Sequence, residues 1–108
     1  MSKTEAEFDA RYFQNLFGES TKEWMEFVKV SIRTFAEGRA KLNEAVHHQN
    51  MKAFSDARHA IGPSLQQWGA LSLELSLREL TQDQFNAKWP TLELEFDGLM
   101  RQLEKIQP

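Results

Sequence analysis

The sequence contains no cysteine, and this absence excludes disulfide bonds, thiolate zinc sites and thiol nucleophiles. Basic residues are not in excess either, because 13 Lys and Arg oppose 16 Asp and Glu and give a net charge of −3. A nucleic-acid-binding domain would carry a basic excess on one face. We therefore expect no nucleic-acid partner.

Long apolar runs are also lacking. No segment approaches the roughly 18 apolar residues that cross a bilayer. The opening residues 1–9, MSKTEAEFD, contain no apolar stretch of the kind found in signal peptides. These absences predict a cytoplasmic protein with no membrane partner. The 108 residues, 41% of them hydrophobic, suffice to bury one core. We expect a single, monomeric domain over residues 1–108.

Glycine and proline are scarce, with five and three residues, and helical periodicity fills the gaps between them. The predicted helices cover residues 8–17, 21–47, 51–68 and 85–106. Gly18 and Gly69 are expected to end the first and third of them. Ser20 and Glu23 have the spacing of a capping box at the start of the second. Pro90 is expected either to kink the last helix or to start its main body.

Apolar residues recur every three or four positions along the three longer helices and predict one buried stripe on each. The stripes comprise Trp24, Val28, Phe35, Leu42 and Val46; Met51, Phe54, Ile61, Leu65 and Trp68; and Phe85, Trp89, Leu92, Phe96, Leu99, Leu103 and Ile106. The three tryptophans are therefore expected in the core. The acidic residues Glu93, Glu95 and Asp97 are expected to form a solvated helix face.

Residues 70–80, ALSLELSLREL, fit two patterns. Leucine alternates with polar residues as in a strand, whereas Ala70, Leu73, Leu77 and Leu80 have helical spacing. A single strand would have no partner in an otherwise helical chain, so we predict a short helix. The expected fold is all-α: an antiparallel up-down four-helix bundle with a short additional N-terminal helix.

One histidine lies away from the buried stripes. At about 100° per residue, His59 falls about 140° from Phe54, on the outward face of its helix. Its neighbours on that face are Lys52, Ser55, Gly62, Pro63 and Gln66. The neutral ring nitrogen of an imidazole is nucleophilic near pH 7 and can accept a phosphoryl group. From spacing alone, an ordinary solvated histidine is the more common interpretation of such a residue.

Residues 57–70, ARHAIGPSLQQWGA, resemble the phosphorylation site of histidine-containing phosphotransfer (HPt) domains. That family's pattern has a His, a Lys three residues on, a Gly four on and a Gly-Ala pair ten and eleven residues on. His59, Gly69 and Ala70 match it without gaps, and Ser64 also suits it.

Two further segments extend the resemblance to the HPt family. Residues 8–20, FDARYFQNLFGES, resemble the family's usual start, an aromatic-Asp pair with a later Leu-Phe-Gly. Residues 99–106, LMRQLEKI, are similar to its last helix. The likeness spans about residues 8–106, nearly the whole chain.

The resemblance implies a four-helix bundle that relays phosphoryl groups in two-component signalling. His59 matches the residue that accepts the group from a receiver-domain aspartate and passes it to another receiver. The implied partners are the receiver domain of a hybrid histidine kinase and that of a response regulator. No ATP-dependent kinase activity and no cofactor are implied for this chain, since Mg²⁺ is expected only on the partner receiver.

The sequence departs from the HPt pattern at Gly62, where Lys is expected, and at Pro63, where Gly is expected. The missing Lys removes a cation one turn from His59, so Lys52 or Arg58 would have to replace it, with Gln66 bonding the phosphoryl oxygens. Pro63 inside a helix costs on the order of 3 kcal/mol and predicts a break or kink. Two interpretations stay open: a phosphorelay carrier, or a module that binds receivers without efficient transfer.

In the case of a break at Gly62-Pro63, Ser64 and Gln67 could cap a restarted helix.

A metal-binding bundle is the remaining alternative. Glu44 and His47 have the Glu-x-x-His spacing of di-iron carboxylate proteins, and Asp56 and His59 imitate it. Such ligands must project into the core, whereas helical geometry places Glu44 and His47 on the outside. We therefore predict no metal site.

Overall fold

The computed structural model describes residues 21–106, which contain helices and turns but no strand. In that range the helices are α1 Thr21–His47, α2 Met51–Gln67, α3 Leu71–Glu79 and α4 Phe85–Glu104, with a 3₁₀ turn at Gln82–Gln84 before α4. The all-helical prediction is confirmed. The predicted helix over residues 8–17 and the capping residue Ser20 lie outside the described residues.

The predicted stripes form one apolar core. Trp24, Trp68 and Trp89 are all buried, as predicted. Of the other stripe residues, Met51 and Ile106 are only partly buried and pack at the edge of the core. The three tryptophans therefore contribute to stability and offer no exposed stacking surface.

Helices α1 and α2 pack closely along their length. The ring centroids of Trp24, near the start of α1, and Trp68, just after α2, are 5.9 Å apart. Farther along α1, Gly38 lies against Ile61 of α2, and a Cβ added at Gly38 would lie 2.9 Å from Cδ1 of Ile61. The chain therefore doubles back between these two helices.

The reversal between α1 and α2 is made by a tight turn. Gln49 has a φ of 53°, in the left-handed region, and its N–H donates to the carbonyl of Val46 at 3.0 Å. Asn50 then donates its N–H to the carbonyl of Ala45 at 2.9 Å, and its side chain accepts from the N–H of Ala53 at 3.0 Å. This pair of backbone bonds is a Schellman motif, which satisfies the last carbonyls of α1.

The end of α2 repeats the same motif with a glycine. Gly69 has a φ of 77° and donates its N–H to the carbonyl of Gln66 at 3.0 Å. The N–H of Ala70 donates to the carbonyl of Leu65 at 2.9 Å. The prediction that Gly69 ends this helix is confirmed, and its reason is the left-handed backbone that glycine adopts without strain.

The ambiguous segment 70–80 forms the short helix α3, as predicted. Four residues at helical spacing turn into the core: Ala70, Leu73, Leu77 and Leu80. The alternating leucines Leu71 and Leu75 stay exposed. Burial of the helical stripe therefore decides the structure of this segment, and the alternation is incidental.

Both interior prolines lie within unbroken helices. We predicted a break or kink at Gly62-Pro63, with Ser64 and Gln67 available to cap a restarted helix, but α2 continues through Pro63 to Gln67. The prediction of a restart is wrong because residues on both sides of Pro63 are held in the core by α1 and α3, which outweighs the local cost. Pro90 likewise lies inside α4, which begins at Phe85.

The acidic face of α4 is not simply solvated, which corrects the prediction for Glu93 and Asp97. The guanidinium of Arg39 on α1 pairs with Glu93 at 3.2 Å and with Asp97 at 2.8 Å, and all three side chains are about two-thirds buried. Beside them, Trp89 donates its indole N–H to Oδ1 of Asn43 at 2.9 Å. These polar contacts join α1 to α4 alongside the core.

None of the helices over residues 21–106 combines the length and the apolar character that a bilayer span requires.

Candidate functional site

His59 lies exposed on the outer face of α2, where the sequence placed it. Its Nδ1 atom is 2.8 Å from the carbonyl oxygen of Ser55, one turn earlier on the same helix. A carbonyl oxygen can only accept, so Nδ1 must carry the proton and donate it. In the neutral ring the lone pair is then on Nε2, at the far side of the imidazole. Backbone geometry thus selects Nε2 as the nucleophilic nitrogen.

A shallow groove runs past His59 between α2 and α3. It is lined by Arg58, His59, Gly62, Pro63 and Gln66 of α2 and by Glu74 and Arg78 of α3. Gly62 matters to its shape, because a Cβ added there would meet no heavy atom within 4 Å. The groove is open beside the imidazole for lack of a side chain at this position.

A polar network from α3 forms one wall of the groove. Glu74 is buried, and its two carboxylate oxygens accept from Gln66 Nε2 at 3.1 Å and from Arg78 Nε at 2.9 Å. Gln66, predicted to bond phosphoryl oxygens, donates one N–H of its Nε2 to Glu74 and keeps a second N–H. The network joins α2 to α3 and holds one cation, Arg78, at the edge of the groove.

The two cations proposed from the sequence occupy different positions. Arg58 lines the groove, half-buried, and its Nη2 donates to Oγ of Ser55 at 3.1 Å. Its Nε is buried without a hydrogen-bond partner among the described residues. Lys52 is not part of the groove lining and pairs with Asp56 at 3.1 Å on the exposed surface of α2. Arg58 thus lies in the groove with one terminal nitrogen bonded to Ser55, whereas Lys52 lies outside the groove lining.

Sequence reasoning missed Glu74 and Arg78. Their spacing of four residues is that of an ion pair on one helix face, so the pair itself was detectable. The position of this pair in the groove that His59 lines could not be detected, because that position depends on how α3 packs on α2. The leucine stripe predicted a helix at 70–80 without indicating which polar residues face the histidine.

The structure brings no metal-binding cluster together in residues 21–106, where no group of three or more His, Asp or Glu residues could hold an ion. Glu44 and His47 are exposed on α1, as helical geometry predicted. Asp56 is engaged by Lys52.

Comparison of the chain with protein-family models, with curated proteins and with solved structures gives no match. The likeness to HPt domains is therefore carried by the residues quoted above, chiefly His59, Gly69 and Ala70.

Proposed function

We propose that this protein carries a phosphoryl group on His59 between receiver domains of two-component signalling. One observation carries the proposal: Nδ1 of His59 donates to the Ser55 carbonyl on an exposed helix face, which leaves Nε2 free to attack. The resemblance of residues 57–70 to the HPt phosphorylation site supports the same chemistry.

The transfer needs no general base from this chain. The Nε2 lone pair forms a bond to the phosphorus of a receiver's aspartyl phosphate, and the P–O bond to the aspartate breaks as its carboxylate leaves. The Nδ1 proton stays on the ring, hydrogen-bonded to Ser55. The reverse displacement on a second receiver returns the group to an aspartate. Positioning and charge neutralisation are the main requirements of such a step.

In this proposal the receivers and this chain contribute different groups to the reaction, as in the HPt family. The receivers of a hybrid histidine kinase and of a response regulator contribute Mg²⁺ and the aspartate, while this chain contributes the imidazole and no ATP-dependent kinase activity. In this proposal the chain is a monomeric cytoplasmic carrier, arranged as an up-down four-helix bundle with a short additional N-terminal helix.

A docking surface for the receiver lies next to the groove. Leu71 and Leu75, one turn apart on α3, are 59% and 46% exposed. Glu74 and Arg78 of the same helix line the groove. A receiver placed over His59 would cover the two leucines, and burial of apolar surface would stabilise the complex. The helix that forms one wall of the groove thus offers exposed apolar area to a partner.

A second function, receiver binding without efficient transfer, is favoured by one observation. The position of the expected Lys is Gly62, and Lys52, the nearest lysine earlier on α2, pairs with Asp56. If no other cation balances the phosphoryl charge, the same surface would bind a receiver and transfer slowly.

Receivers from the same organism, each labelled on its aspartate with radioactive acetyl phosphate, distinguish the two functions. The carrier hypothesis predicts label on the wild-type chain that is stable in alkali and lost in acid. It also predicts no label on His59→Gln and full label on His48→Gln, a matched change at an exposed turn residue. If some receiver binds the wild-type chain but none labels it, the binding module is the correct function.

A further inference from the structure

We infer that Arg78 of α3 supplies the positive charge that stabilises a phosphoryl group on Nε2 of His59. The inference rests on the proposed phosphorylation of His59 and adds the residue that neutralises the charge. It also accounts for the missing lysine at Gly62, because the neighbouring helix would supply the cation in its place.

The packing of α3 on α2 brings Arg78 to the level of Gly62. Glu74 is bonded to Gln66, which fixes the two helices relative to each other at that point. Arg78 lies one turn beyond Glu74 on α3, and Gly62 lies one turn before Gln66 on α2. Both residues line the groove that contains His59.

Gly62 leaves the path between Arg78 and His59 open. Apart from its chain neighbours, a Cβ at this position would meet nothing within 4 Å, so position 62 itself places no side chain in the groove one turn from the imidazole. A long side chain from α3 can therefore extend across the groove toward Nε2. The cation would reach the place that a lysine at position 62 would otherwise occupy.

The guanidinium of Arg78 keeps donor groups suited to this task. Within residues 21–106 only its Nε is engaged, by Glu74 at 2.9 Å, and the side chain is 53% exposed. The four N–H groups on its two terminal nitrogens are left for phosphoryl oxygens, and the planar fork of arginine matches phosphate geometry. Arg58, the other groove arginine, already donates a terminal nitrogen to Ser55.

Phosphoramidate is a suitable probe because it phosphorylates histidine without a receiver. The Nε2 lone pair bonds to phosphorus, the P–N bond of the reagent breaks, and ammonia leaves with the protons of the reagent's ammonium group. His47 and His48 are exposed as well and serve as internal references in the same sample. Peptide mass spectrometry at alkaline pH gives the initial rate at each histidine.

In the full chain, Arg78→Gln is expected to lower the rate at His59 about tenfold, which is the effect of losing one charge-assisted contact. The rates at His47 and His48 should not change. Arg78→Lys should retain part of the rate, and Arg33→Gln, which removes an exposed arginine of α1, should retain all of it. Because Arg78→Gln leaves the buried Glu74 without its cation, Glu74→Gln/Arg78→Gln tests the same loss without that charge.

The results separate this inference from the proposed function. Equal rates at His59 in the wild type, in Arg78→Gln and in Glu74→Gln/Arg78→Gln would overturn the role of Arg78 while leaving His59 as the acceptor. A wild-type chain in which His59 takes up no phosphate would overturn the proposed function, and the role of Arg78 with it.

Discussion

Gly38 of α1 packs directly against Ile61 of α2, so closely that a methyl group at Gly38 would lie 2.9 Å from Cδ1 and 3.1 Å from Cγ1 of Ile61. Ile61 is buried in a close-packed core, so a shift of its side chain would disturb its neighbours. The contact sets the separation of α1 from the helix that carries His59, since Ile61 follows the histidine by two residues.

Gly38→Ala is therefore expected to destabilise the protein by about 1–2 kcal/mol, because overpacking outweighs the roughly 1 kcal/mol that alanine gains over glycine in a helix. Urea unfolding measures the change. Ile61→Val removes Cδ1, so the double variant should lose less stability than the sum of the two single changes. A stabilising Gly38→Ala would contradict the observed packing.

Substitutions at the two Schellman turns are expected to change the melting temperature in opposite directions. Gln49, at a φ of 53°, occupies a backbone region that costs a non-glycine residue about 1–2 kcal/mol, so Gln49→Gly should raise the melting temperature. Gly69 has a φ of 77°, so Gly69→Ala should lower it. Gln49→Ala is the control, since it keeps the strained φ and should give no increase.

The exposed leucines of α3 predict a loss of receiver binding without a loss of stability. Leu71→Asp and Leu75→Asp should each weaken binding of a cognate receiver by about tenfold, because each removes exposed apolar area from the docking surface. Leu94→Asp, on α4 and similarly exposed at 52%, is the matched control. Titration calorimetry measures the affinities, and equal losses in all three variants would argue against this surface.

Gly62→Lys is expected to restore His59 phosphorylation in an Arg78→Gln background. The Cβ of the added lysine meets no atom within 4 Å, and its side chain returns a cation to α2, one turn from the imidazole. We expect about a tenfold gain in the phosphoramidate rate over Arg78→Gln alone. Gly62→Gln, of similar size but uncharged, should give no gain; an equal gain would mean that charge is not the limiting factor.

The stability difference between Glu95→Gln and the wild type is expected to depend on pH. Burial raises the pKa of the Glu95 carboxyl above its ordinary value of 4.5, so the folded state binds its proton more tightly than the unfolded state does. This group therefore destabilises the fold increasingly as pH rises from below 4.5 through the raised pKa. Glu95→Gln should be more stable than the wild type at pH 7, and urea unfolding at pH 3.5 should show that advantage reduced. A constant advantage across this range would exclude the titration of Glu95 as its cause.

Features encoded along a single helix were predictable from the sequence. The 21–47 helix and the buried stripes follow from periodicity, and the exposed position of His59 follows from its angle to Phe54. Segment 70–80 had an ambiguous pattern, yet the lack of a strand partner was enough to identify it as helix.

Features that depend on two helices were not predictable. Arg39 reaches Asp97 across a separation of 58 residues, so the acidic face of α4 looked solvated when considered alone. The free-energy cost of Pro63 in a helix suggested a break, because the sequence does not show how the residues around Pro63 pack against other helices. Arg78 was missed as a groove residue for the same reason, since only the docking of α3 brings it to the groove that His59 lines.

The hydrogen bond from Nδ1 of His59 to the backbone of its own helix also determines which ring nitrogen of His59 is modified. Phosphorylation at Nε2 produces the τ isomer and leaves the ring in place, whereas the π isomer would require the Ser55 contact to break and the ring to rotate. Reagents that recognise τ-phosphohistidine are therefore the appropriate ones for detecting the phosphorylated protein in cells.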